Sequence, residues 1–219
     1  AIFCTIGRPI KPTPIKPTLI LLINNNSYYK KKHYSILQFT NSSLSMKTDI
    51  KSPTLELHSN VSYLQCDITN EESVAKLFKE CKPKVVFNLA GFANLDTAVK
   101  YPKKTIELNV LGNVTLLEQS VNSKVELFVY ASSAYAMNNK GSFYGLSKLT
   151  SEKIVEEYHQ KFNLNYSILR YGSIYAAADF DNNYLFQVVK SAIESGSIIH
   201  KGDGEELREY IHVKDVSEL

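Results

Sequence analysis

Lys84-Val-Val-Phe-Asn-Leu89 is a short run that is almost wholly apolar after its first residue. A run of that length and character reads as a strand covered on both faces, the condition met in a parallel sheet with helices above and below. Val125–Ala131 reads as another buried strand and Asn165–Arg170 as a further strand, separated by longer stretches with helical spacing. From Val61 onward strand and helix alternate, an order that requires right-handed crossovers and predicts a doubly wound α/β domain. Val61–Asp67 is predicted as a strand ending in an acid, and Thr69-x-x-Glu72 as a capping box for a helix through Lys79. Tyr144 to Phe162 is predicted as an amphipathic helix with Leu146, Leu149, Ile154 and Val155 as its apolar residues, and Asn183–Glu194 as another. Ser197–Lys201 and Arg208–Val213 read as short strands.

At 219 residues, 44% hydrophobic and 21% charged, the chain is long enough for one full core and a small appendage. Its net charge of +3 gives no argument for a nucleic-acid partner. The charge is unevenly placed: residues 1–50 carry seven Lys/Arg against Asp49 alone, so the remainder sums to −3. Cys4, Cys66 and Cys81 lack metal-ligand spacing and any evident disulfide framework. That pattern suits a reducing cytosol, and no metal is expected. The longest apolar run near the start, Leu19–Ile23, is far short of a membrane span, and no secretory leader pattern is present. A cytoplasmic location follows as the expectation.

Tyr144-Gly-Leu-Ser-Lys148 places a phenol and an ammonium one helical turn apart on one face. A free phenol titrates near ~10 and is a poor base at neutral pH. A neighbouring ammonium favours the phenolate and is expected to pull that value down. A serine from Ser132-Ser133 within reach would hold a substrate oxygen in line for proton transfer. In isolation the pattern equally describes an exposed tyrosine beside a solvated lysine.

The text around the pair decides between these. Val125–Ala131 delivering Ser132-Ser133 to the Tyr144 helix, Val85-Val-Phe-Asn-Leu-Ala-Gly91, and Asn109-Val-Leu-Gly-Asn-Val-Thr-Leu-Leu-Glu118 stand in one order. Leu169-Arg-Tyr-Gly-Ser-Ile-Tyr175 and Gly202–Val213 follow them. Together these segments, from about Val61 to Asp215, resemble the extended short-chain dehydrogenase/reductase family, in its sugar-nucleotide epimerase/dehydratase branch. The resemblance implies a Rossmann-like doubly wound parallel sheet over residues 33–170 and part of a small C-terminal substrate lobe over 171–219. It implies NAD as cofactor, with NADP as the alternative, and a nucleotide-sugar substrate. A homodimer built on the Tyr144 and Asn109 helices is implied as well.

By the same resemblance Tyr144 is the acid/base, Lys148 keeps it acidic and binds the nicotinamide ribose, and Ser133 orients the reacting oxygen. Asp67, Ile68, Leu89, Ala90, Gly91, Asn109 and Tyr171 take the cofactor-side positions, Asp67 against the adenine and Asn109 supporting the site. Ser133, Ser173 and Arg208 take the substrate side, Arg208 on the diphosphate, a task that suits a planar fork of donors. Plain alternatives accompany three of these: a loop or capping carboxylate for Asp67, a surface polar residue for Asn109, and a salt bridge with Glu205, Glu206 or Glu209 for Arg208. His212 is expected to pack rather than react. Ser173 and Ala176 depart from the family's Asn and Gly. The Thr-Asp-Glu of the 4,6-dehydratases is absent beside Ser132-Ser133-Ala134, which favours epimerase or reductase chemistry over dehydration.

The first sixty residues depart furthest. Such domains open with a strand, a glycine-rich turn and a helix that receive the pyrophosphate. Only Gly7 precedes Gly91, and Arg8–Pro17 carries four prolines where that turn is expected. Proline has no N–H to offer a phosphate. Residues 1–32 are therefore assigned as a divergent segment lacking the loop, with Leu19–Ile23 in the first helix, Tyr34–Phe39 as the second strand, and 42–60 as a surface loop. Either a damaged or frame-shifted coding segment or a true loss of dinucleotide binding accounts for this. The chain as written is expected to bind NAD weakly or not at all. It also reads as a carboxyl-truncated piece. A non-catalytic Rossmann-like binding protein, or an inactive fragment, is the competing reading.

Overall fold

The structure is a computed structural model and describes residues 19–22 (backbone only), 64, 66–137, 141–175, 184–198, 205 and 207–217. The apolar runs form one sheet: β1 (Leu19–Leu22), β2 (Val85–Asn88), β3 (Leu127–Ser133) and β4 (Tyr166–Tyr171), in that order across it. β2 runs parallel to both neighbours, with Leu19↔Val85 and Leu22↔Asn88 on one side and Val85↔Leu127 and Asn88↔Tyr130 on the other. Six of the seven residues of β3 are buried. That double-sided burial is why β3, like β2, is apolar with little alternation.

The helices follow from local signals. α1 (Glu71–Cys81) starts at Asn70, whose side chain accepts from Ser73 N at 2.8 Å, and ends at Lys82 in the left-handed conformation. The N-cap is therefore Asn70 and not Thr69. The Thr69 hydroxyl instead donates to Asp67 Oδ1 at 2.7 Å, which also accepts from Thr69 N at 2.9 Å. α2 (Leu95–Lys100) and α3 (Pro102–Ile106, with proline in its first turn) lead into a widened π-helical turn, Glu107–Leu111, and then α4 (Gly112–Asn122). A single 3₁₀ turn, Ala134–Ala136, separates β3 from α5 (Ser142–Phe162). The core joins Val74, Leu77 and Phe78 of α1 to Val86, Leu116, Leu117, Phe128 and Ile168.

Contacts divide the chain between Arg170 and Tyr171. In the second unit β5 (Ser173–Tyr175) pairs in parallel with β6 (Tyr210–His212), accompanied by α6 (Tyr184–Ser195) and α7 (Val213–Ser217). The Tyr175 and His212 rings meet edge-on at 5.2 Å, and His212 Nδ1 accepts from Lys214 N at 3.2 Å.

Three expectations change. Leu19–Leu22 is a strand and not part of a helix, because its backbone completes a parallel ladder with β2. That register moves the expected phosphate turn to the residues from Ile23 on, so the Arg8–Pro17 cluster precedes the strand rather than following it. Leu64, Cys66 and Asp67 lie in no strand; Asp67 instead opens a turn closed by Asn70 N to its carbonyl at 3.0 Å. Ser197 and Ile198 lie in no strand either: the Ser197 carbonyl is taken up by the hydroxyls of Ser191 and Ser195. Arg8–Pro17, Tyr34–Phe39 and residues 42–60 lie outside the described residues.

Leu116 is fully buried in the core, so Leu116→Ala is expected to cost roughly 2–5 kcal/mol in urea denaturation. Asn70→Ala is expected to cost about 1 kcal/mol through loss of the cap. A Thr69→Ala variant more destabilised than Asn70→Ala would contradict the capping assignment.

Candidate active site

In a sheet of this kind ligands sit at the carboxyl ends of the strands. Ser132 and Ser133 are the last residues of β3, and both are buried. Ser133 Oγ accepts from Tyr135 N at 3.3 Å, which turns the chain into the 3₁₀ segment. Gly141, at φ 89°, opens α5; a Cβ there would lie 3.0 Å from the Tyr135 side chain. From this start, residues four apart on α5 point back toward the sheet: Tyr144 is 8% exposed, Lys148 5% and Glu152 0%.

The Tyr144 hydroxyl is hydrogen bonded to Ser133, and its ring meets Tyr135 edge-on at 6.2 Å. Burial pushes the phenol above its ordinary value, and the Ser133 bond opposes that only in part. Lys148 Nζ donates to Ala131 O at 2.7 Å and lies 4.9 Å from the Tyr130 ring centre and 5.9 Å from that of Tyr144. Burial holds this ammonium down to about 8, against the opposing pull of Glu152. The expected lowering of the phenol by the ammonium is thus corrected. Desolvation dominates both groups, and the lysine gives a hydrogen bond to the backbone of β3.

Asn109 sits in the π-helical turn and is 2% exposed, which removes the surface reading. Its Oδ1 accepts from Phe92 N at 2.7 Å, while Nδ2 donates to Phe92 O at 3.1 Å and to Ser147 Oγ at 2.8 Å. Ser147 Oγ donates to Tyr144 O at 2.7 Å, and Ser151 Oγ donates to Asn109 O at 2.8 Å. The loop after β2, the π-helical turn and α5 are tied together here. Gly91 lies against this knot: a Cβ there would stand 2.8 Å from Asn109 Oδ1 and 3.6 Å from Lys148 Nζ. Leu89 is half-buried, and Ala90, buried beside it, donates its N–H to Asn88 Oδ1 at 3.1 Å.

Ser133, Tyr144, Lys148, Asn109 and Gly91 are therefore brought together. Ile68 is buried in the core against Gly112, where a Cβ would meet its side chain at 2.6 Å. Asp67 is exposed, with one carboxylate oxygen engaged by Thr69. In the second unit Tyr171 is half-buried, Ser173 N donates to Glu209 O at 2.8 Å, and the Arg208 guanidinium stacks 5.1 Å over the Tyr184 ring. Sequence reasoning missed the fully buried Glu152, which accepts from Arg170 Nε at 2.8 Å, from Arg170 Nη2 at 2.6 Å and from Ser132 Oγ. Its signal was available: an acid four residues after Lys148, on the same helix face.

Burial pushes the thiols of Cys66 and Cys81 up to about 11 and 12, so neither is a nucleophile at neutral pH. Among the described residues no cluster could hold a metal ion, and no helix is long and apolar enough to cross a membrane.

The chain is similar to known proteins across most of its length. UDP-glucose 4-epimerase of Thermotoga maritima, solved with UDP-glucose, is 27% identical and superposes with a TM-score of 0.66, covering 74% of this chain and 58% of that one. UDP-glucose 4-epimerase of Thermus thermophilus, solved with NAD, is 27% identical with a TM-score of 0.64, covering 74% of this chain and 60% of its own. A UDP-glucuronate 4-epimerase of Thermodesulfobacterium geofontis is 26% identical over 176 residues, 74% of this chain and 54% of the relative. The chain spans about half the length of the curated relatives it matches. The pattern of one family matches residues 26–219, and with a Rossmann-like α/β fold and this site beneath it, the chain belongs to the NAD dependent epimerase/dehydratase family.

Proposed function

We propose that this chain carries the catalytic half of an epimerase acting on a UDP-linked hexose, with Tyr144 as the acid/base. The observation that supports it is the convergence of Ser133, Tyr144 and Lys148 in one buried site at the end of β3. Gly91 packs its backbone against Asn109, where a Cβ would meet Oδ1 at 2.8 Å and Lys148 Nζ at 3.6 Å, so the Ala90-Gly91 backbone and the lysine meet at one point, a donor set that fits the nicotinamide end of NAD. Lys148, Tyr144 and the backbone of Ala90-Gly91 would hold that end, with Asp67 and Tyr171 as further cofactor-side candidates. A bound NAD supplies the hydride acceptor and donor.

The protein's own part is position and proton traffic. Ser133 orients the sugar hydroxyl, and Tyr144 Oη takes its proton and later returns one. Burial keeps the phenol protonated at rest, and the hydrogen bond to Ser133, which lowers it in part, is what favours the base form. Ser173 and Arg208 are proposed for the substrate side, Arg208 for the diphosphate. Leu111 and Leu146, both exposed and apolar on neighbouring elements, support a homodimer through this face. The cysteine pattern supports a cytoplasmic setting.

The residues that follow β1, Ile23-Asn24-Asn25-Asn26-Ser27, contain no glycine. Glycine in such a turn lets the backbone approach the pyrophosphate, so its absence is expected to leave the Kd for NAD well above micromolar. Titration of NAD against the native chain tests this; micromolar binding contradicts it. At saturating NAD, Tyr144→Phe is expected to slow interconversion of UDP-glucose and its C4 epimer by about 100-fold or more with the NAD Kd unchanged. Equal rates for the two forms would sink the assignment of Tyr144.

Lys148 makes a second measurement available. Its folded-state value, about 8, lies below the ordinary 10.5, so between these the unfolded chain binds the extra proton. The penalty for the buried charge is complete below pH 8 and vanishes as pH rises to 10.5. The stability of the native chain relative to Lys148→Met is therefore expected to climb by about 3 kcal/mol across that window, read from urea midpoints. A flat difference would show that the lysine is not desolvated.

A further inference from the structure

Glu152 has no role in the proton chemistry proposed above, yet no buried acid in the site is better held. It is fully buried, and both its oxygens are gripped by Arg170 of β4, Nε on Oε1 at 2.8 Å and Nη2 on Oε2 at 2.6 Å. Ser132 donates to Oε1 as well. Ser132 stands between Ala131, whose carbonyl receives Lys148 Nζ, and Ser133, which reaches Tyr144. One carboxylate thus fixes the segment of β3 that seats both partners of the tyrosine, and it lies one turn along α5 from Lys148.

We infer that Glu152 is a positioning residue that keeps Lys148 an ammonium and anchors the Ala131–Ser133 end of β3, with Arg170 holding the carboxylate in place. The inference deepens the proposed function and rests on it for its catalytic meaning. Among the described residues the charged and titratable groups around Lys148 are few: Tyr130 from β3, Tyr144 and Glu152 from α5, and Arg170 from β4 behind Glu152, with Lys153 on the exposed side of the helix. The two tyrosines are neutral at pH 7, since burial pushes both above their ordinary range. Glu152 is then the one negative charge in this set, and it alone opposes the burial that drives Lys148 toward the amine. A purely structural clasp between α5 and β4 would need the Arg170 pair but would not govern the lysine.

The test is side-chain NMR of isotope-labelled lysine on the whole chain without ligand, with the Lys148 signal assigned by its loss in Lys148→Met. In Glu152→Gln, which keeps the shape and removes the charge, the ammonium-to-amine ratio of Lys148 at pH 8 is expected to fall about tenfold or more. Glu152→Gln takes the charged partner from Arg170 and destabilises the fold, so Glu152→Gln/Arg170→Gln is the second arm. It restores a neutral pair, and its ratio is expected to stay at least about threefold below the native one. A native ratio in the double variant would overturn the inference and leave Glu152 as a structural clasp. Because the readout needs neither NAD nor substrate, failure of cofactor binding or turnover counts against the proposed function and not against this result.

Discussion

Asn109 makes three side-chain hydrogen bonds where water does not reach, and the arrangement of the site depends on them. An amide in that position left without partners would cost about 1–3 kcal/mol per unmet group. Satisfying it fixes Phe92 in the loop after β2 and Ser147 in α5 at one point. The π-helical turn is part of the same solution, because the Asn109 carbonyl is taken up by Ser151 of α5. Tyr144 and Lys148 inherit their positions from this clamp, since Ser147 between them is bonded to both Asn109 and the Tyr144 carbonyl.

The polar groups are concentrated where packing is tightest, and that has an energetic direction. A lysine held down to about 8 and a phenol held up are both desolvated groups, each costing stability in its charged form. The Glu152–Arg170 pair is weak evidence for net stability as well, because two buried charges give up much of their hydration. Stability comes instead from the apolar layer on the α1 side, where Phe78, Leu116, Leu117 and Phe128 are buried. Stability and function thus draw on different residues of one packed core, which takes in Val155 of α5 as well.

Much of this was legible in the chain. The apolar runs marked β2 and β3 within a residue or two, since burial on both faces leaves a compositional mark, and β4, where only Ile168 is buried, was legible from the strand-helix order. Tyr144, Lys148 and Ser133 were found because their spacing and neighbours are distinctive. Local hydrogen bonding was less legible. Thr69 and Asn70 are both good caps, and the choice of Asn70 depends on Thr69 being claimed by Asp67. Leu19–Leu22 is too short and uniformly apolar to separate helix from strand by period alone; its partner β2, far along the chain, decides. Glu152 stayed hidden because an acid on an amphipathic helix is ordinarily solvated, and its partner Arg170 belongs to a strand 18 residues away.

Gly91 and Asn109 occupy one small volume between them. Any residue but glycine at 91 needs room that the Asn109 amide fills, and the amide is pinned to Phe92 on two sides. A smaller residue at 109 would open the space but release the loop after β2. Neither position is then free to drift alone. Among descendants of this sequence the pair is expected to persist together or to be replaced together, as a single heritable unit spread over two distant codons.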